Sequence, residues 1–145
     1  VPPTTRVFGQ PCALASTTPK IGCRNLFNRD HSAVVGTRVT VFDAPAGAPT
    51  VLVLGQSDRH YLGRLLPWSL RDLGLPRCSL LVSSELILPA RTGTAGIDAG
   101  FASVDLPRPA STTGKLELFA QWLVLDPPGS KLHSVSDALS VRINP

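Results

Sequence analysis

The stretch KLELFAQWLVLD, Lys115–Asp126, decides the fold. In an extended chain Leu116, Leu118, Ala120, Trp122 and Val124 fall on one face, and Glu117, Phe119, Gln121, Leu123 and Leu125 on the other. The first set is wholly apolar. The second begins polar and turns apolar. That is the pattern of a strand half-buried at its start and buried on both faces toward its end. Leu, Ala, Glu and Gln are also good helix formers. The turn signals Thr112-Thr113-Gly114 before the stretch and Asp126-Pro127-Pro128-Gly129 after it favour the strand. Trp122, near the centre, is the expected core anchor because it carries a large apolar surface.

Moving outward, Ala138–Asn144 alternates Leu139, Val141 and Ile143 against Ser140 and Arg142, and should pair antiparallel with Leu116–Leu125. Val34–Asp43 alternates as well. Thr50–Leu54 is a continuous apolar run, and these two are expected to form a hairpin across the Ala44–Ala48 loop. Leu62–Leu66, Ser79–Val82, Glu85–Leu88 and Ile97–Leu106 are further short candidates. Pro67–Leu73 reads as one helical turn between Pro67 and Gly74. Cys12–Ala33 reads as irregular around one short strand. With 14 Pro and 12 Gly spread along 145 residues, the expectation is an all-β chain with little helix. About eight short strands would form an antiparallel β-sandwich, jelly-roll or immunoglobulin-like. No repeat or linker divides the chain. Residues 8–145 read as one domain and residues 1–7 as an extended N-terminal tail. Pro2 and Pro3 bar Val1–Thr5 from a central strand, while Arg6–Phe8 can form a short one.

Fourteen Lys and Arg face ten Asp and Glu, a formal charge of +4. The bases are scattered among acids rather than clustered, so nucleic acid is not an expected partner. No apolar run is long enough to span a membrane as a helix. The chain contains no Met, which suggests a processed N-terminus and export by signal-peptide removal. Cys12, Cys23 and Cys78 make an odd set. In an exported chain at least one disulfide is expected, and one thiol stays free or pairs between chains.

Catalytic chemistry is not expected. Ser57, Asp58 and His60 lie within one short loop, with no Gly-x-Ser-x-Gly elbow around them. No metal-ligand spacing, calcium loop or phosphate-binding glycine loop is present, so neither a metal nor a cofactor is expected. Ser/Thr/Pro clusters at Pro2–Thr5, Ala15–Pro19 and Pro109–Thr113 read as loops open to O-glycosylation.

Several phrases recur in a familiar order. Phe8-Gly9-Gln10-Pro11-Cys12 precedes Thr18-Pro19-Lys20-Ile21-Gly22. Ala46-Gly47-Ala48-Pro49 and Val51–Gly55 come next, then Leu73–Ser83, Phe119–Asp126 and Ser136-Asp137-Ala138-Leu139. Over Phe8–Ile143 this resembles an uncharacterised β-rich module of exported bacterial proteins, found at the C-terminal end of larger surface proteins. The resemblance implies extracellular or cell-surface placement and pairing of Cys12 with Cys78, with Cys12–Cys23 as the rival. The chain departs from the pattern in its additional Cys23, in Arg77 and in Asp137. A Cys12–Cys78 bridge would close about 65 residues and add about 4 kcal/mol on the chain-entropy account.

Two functions are expected. One is an extracellular structural subunit that assembles into a homo-oligomer or filament, with Val1, Arg6, Val7 and Phe8 gripping a neighbour and Cys23 free or linking subunits. The other is a surface binding module for carbohydrate, using Tyr61, Trp68 and Phe27 as exposed aromatics.

Overall fold

The computed structural model describes residues 4–13, 17–107, 116–129 and 131–143. In chain order the strands are β1 (Thr4–Phe8), β2 (Cys12–Ala13), β3 (Lys20–Phe27), β4 (Val34–Phe42), β5 (Pro49–Gly55), β6 (His60–Tyr61) and β7 (Arg64–Leu65). They continue as β8 (Trp68–Leu70), β9 (Leu75–Leu80), β10 (Leu86–Arg91), β11 (Ala102–Pro107), β12 (Leu116–Leu125) and β13 (Leu132–Ile143). Two 3-10 turns, Arg71–Leu73 and Gly96–Asp98, are the helical content among the described residues. The chain is all-β and its sheets are antiparallel, as the sequence indicates.

The central sheet runs β1-β13-β12-β5-β10, with β2 also paired to β13. A second sheet, β11-β4-β3, packs on one of its faces. Between them lies a core of Ile21, Val39, Val41, Leu52, Leu54, Ala120, Trp122, Val124, Leu139 and Val141. The opposite face of the central sheet is also covered, by the chain from β6 to Val82. Val53, Leu70, Leu75, Leu80, Val82, Phe119, Val135 and Ala138 form a second core there. The sandwich therefore carries a third layer.

β12 shows why. Ala120, Trp122 and Val124 enter the first core, while Phe119, Gln121 and Leu123 enter the second. This is the period-two split read from the sequence. Trp122 is fully buried, as expected of the core anchor. β5, with both faces apolar, sits next to β12. The expected pairing of β12 with β13 is present, from Leu116↔Ile143 to Leu125↔Leu132. It is interrupted opposite Trp122, where β13 carries one extra residue across Ser136-Asp137. The bulge resets the alternation, so Val135 and Ala138 both face the second core although three positions apart. The Trp122 N–H donates to Ser136 Oγ (2.9 Å), and Asp137 Oδ1 accepts the Ile21 N–H of β3 (2.8 Å), tying the two sheets together.

Two expectations are corrected. β4 and β5 do not form a hairpin, because β4 belongs to the second sheet and β5 to the central one. The Asp43–Ala48 connection, with Asp43 and Gly47 at positive φ, carries the chain between layers. β3 is a full eight-residue strand rather than irregular chain. Of residues 1–7, read as an extended N-terminal tail, the structure describes residues 4–7. From Thr4 the chain is already an edge strand in register with β13, Thr4↔Arg142 to Phe8↔Ala138.

Candidate functional site

Of the expected contact residues, Arg6, Val7 and Phe8 lie on β1. β1 is paired along one edge only, and Thr4 through Val7 are exposed. Phe8 is the exception. It is half-buried and meets Phe119 edge-on, with ring centroids 6.2 Å apart, while the Arg6 guanidinium lies 5.4 Å from the Phe8 ring. Val7 is 49 % exposed, a large apolar side chain held at the rim. Beside the strand, Glu117 pairs with Arg142 (3.2 Å) and accepts the Ser140 hydroxyl (3.0 Å). Arg6, Thr4 and Thr5 share a shallow cleft with these three residues.

The end of β1 is built to turn. Gly9 has φ +72°, a backbone conformation that favours glycine, and a Cβ there would push the Leu81 side chain aside. Three residues after Gly9, Cys12 is bonded to Cys78 across 66 positions, the pairing the resemblance implied. That bond fixes β2 to β9, and β2 caps the Ser134–Val135 end of β13. The chain before Cys12 is thus an arm rooted in a covalent crosslink. Val1 lies outside the described residues.

The other candidates divide. Cys23 is a free thiol, half-buried on the inward face of β3 against the first core. A bond to another chain through its sulfur would need that sheet edge to open. Ser57 Oγ accepts the backbone N–H groups of Arg59 (3.0 Å) and His60 (3.1 Å), so the Ser57–His60 loop is a hydroxyl-capped turn. Tyr61 and Trp68 come together (6.0 Å), but both pack against the second core and Arg64 lies 4.9 Å from the Trp68 ring. Phe27 sits on a different layer, half-exposed beside His31. The Pro109–Thr113 cluster, Pro2, Pro3, Ala15 and Ser16 lie outside the described residues. Among the described residues no group of three metal-ligating side chains occurs, and no helix is long and apolar enough to cross a membrane.

Comparison with protein-family models, with curated proteins and with solved structures found no match.

Proposed function

We propose that the protein is an extracellular structural subunit that self-assembles by handing β1 to the β13 edge of a neighbouring copy. The observation that carries this reading is the arm: an exposed, one-sided edge strand that ends at a glycine hinge just before a disulfide root. Moving β1 from its own β13 to a neighbour's remakes the same ladder and the same Phe8–Phe119 contact, so exchange changes little enthalpy and concentration decides the outcome. Each subunit that gives its arm away exposes its own β13 edge. An unpaired edge strand is a template for the next arm. A one-way hand-on of this kind makes an open filament, and a mutual swap makes a closed dimer. The disulfide suits an oxidising, extracellular setting. Surface glycosylation of the Ser/Thr/Pro clusters belongs to the same reading.

The test is electron microscopy and sedimentation of three proteins. The full chain should form polymers. A chain starting at Gly9 should stay monomeric, because it has no arm to give. A Thr5→Cys/Val141→Cys protein, bridging a register pair of β1 and β13, should give a covalent ladder on denaturing gels when oxidised after assembly. It should give monomers when oxidised before. Normal polymers from the chain starting at Gly9 would overturn the proposal, as would oxidised polymers whose subunits run only as single chains.

A further inference from the structure

The outward face of the β11-β4-β3 sheet carries a second site, unrelated to the arm. Register places its side chains in rows across the three strands. One row is Gly22, Thr40 and Ser103. On one side of it lies the row Arg24, Arg38 and Asp105. On the other side stand Phe42 and Phe101, each 38 % exposed. Small side chains between two tall rows leave a trough of about 480 Å³. Its floor depends on Gly22, where a Cβ would come 2.9 Å from Thr40 Oγ1 and 3.4 Å from the Phe42 ring.

The walls differ in chemistry. Phe101 offers an apolar ring face, whose negative quadrupole attracts polarised C–H groups such as those of a sugar ring. Thr40 and Ser103 offer hydroxyls that both donate and accept. Opposite them, Arg38 is held by Asp105 through two bonds, Nε–Oδ1 at 2.7 Å and Nη2–Oδ2 at 3.0 Å. Arg24, across the ladder from Arg38, has no ion-pair partner among the described residues. At the far end Lys20 is matched by Asp43 at 3.0 Å. One guanidinium is therefore left over across the trough from Phe101, and a planar carboxylate is its natural complement.

We propose that this trough binds a segment of an acidic polysaccharide, a chain of uronic-acid residues lying across the strands. A sugar ring face rests on Phe101, hydroxyls meet Thr40 and Ser103, and a carboxylate meets Arg24. Charge favours this occupant over a neutral glycan, because two guanidinium groups, Arg24 and Arg38, line the trough and the Asp105 carboxylate bonds only the second of them. The walls stand on adjacent strands of one sheet, so the spacing of the contacts is set before any ligand arrives.

The test is affinity electrophoresis in gels containing polygalacturonate, with dextran gels as the neutral comparison. It is run on the wild-type chain and on the oxidised Thr5→Cys/Val141→Cys protein, so that failure of assembly and failure of binding read separately. Polygalacturonate should retard both proteins and dextran neither. Phe101→Ala and Arg24→Ala should each weaken retardation about tenfold, and Ser103→Glu, a carboxylate on an exposed position of the floor, should abolish it. Arg71→Ala, the same charge loss on the third layer, should bind as wild type. The proposal fails if polygalacturonate causes no retardation, if dextran retards equally, or if Arg71→Ala weakens binding as much as Arg24→Ala.

Discussion

Gln121 shows how one polar side chain can hold two layers together. It is fully buried in the second core. Its Oε1 accepts the Leu81 N–H (2.9 Å), and its Nε2 donates to the carbonyls of Ser79 (3.2 Å) and Ser136 (2.9 Å). The amide thus joins β12, the β13 bulge and the end of β9. Gln121→Ala removes three hydrogen bonds to buried or part-buried backbone groups, and urea unfolding should show a loss of about 2–4 kcal/mol. Asp105 offers a residue-scale prediction of another kind. Its hydrogen bonds to Arg38, helped by the positive charges of Arg38 and Arg24, hold its carboxyl below the ordinary carboxylate range. The native value lies below the unfolded one, so the pairing contributes above about pH 4 and is lost as pH falls through the native value. Carboxyl carbon NMR should find Asp105 titrating low in the wild type and returning upward in Arg38→Ala. An unchanged midpoint in that variant would refute the assignment.

At the scale of elements, β2 is the smallest strand with the largest duty. Two residues long, it holds the sheet to β9 through Cys12–Cys78. Replacing both cysteines by serine should lower stability by about 4 kcal/mol on the loop-entropy account, and amide exchange should rise first in β1 and β2, whose mooring is gone. β12 is legible in the sequence because, Gln121 apart, each of its faces is apolar where it is buried, so a period of two survives. β13 is legible only from Ala138 onward. Its first half carries His133, Ser134 and Ser136, which read as loop, yet Ser134 and Ser136 are fully buried and hydrogen-bonded around the bulge. A bulge shifts the alternation by one, and pattern alone does not carry across it. β3 escapes a sequence reading because Gly22, Cys23 and Asn25 blur its faces. The third layer is hidden for a different reason. Its strands are two to six residues long, and the β6–β7 turn is Leu62-Gly63, both at positive φ, rather than the Asn-Gly that announces such a turn. Tyr61 and Trp68, expected as exposed aromatics, belong to this layer and pack inward. Phe101 reaches the trough beside Gly22, Thr40 and Arg38 only because three strands pair in register, which a single sequence does not print.

For the molecule as a whole, what matters is that the central sheet is covered on both faces and exposed at its two margins, β1 and β10. Its body is pinned by two cores and a crosslink, while β1 adds one half-buried aromatic and a ladder. Removal of the arm should therefore leave the rest folded. The chain starting at Gly9 should keep a cooperative thermal transition in calorimetry, with a midpoint lowered by less than that of the double-serine variant. A lower midpoint than the double-serine variant would mean that β1 is part of the foundation rather than an appendage.

The position of Cys12 also determines how the molecule meets tension. A pull on the chain at Thr4 peels β1 from β13 and straightens the hinge, and the stretch from Thr4 to Cys12 reaches at most roughly 30 Å. There the slack ends. From Cys12 the force crosses the sulfur bridge to Cys78, and the layers beyond are drawn taut without being unravelled from that side. The molecule behaves like a tether with a fixed stop.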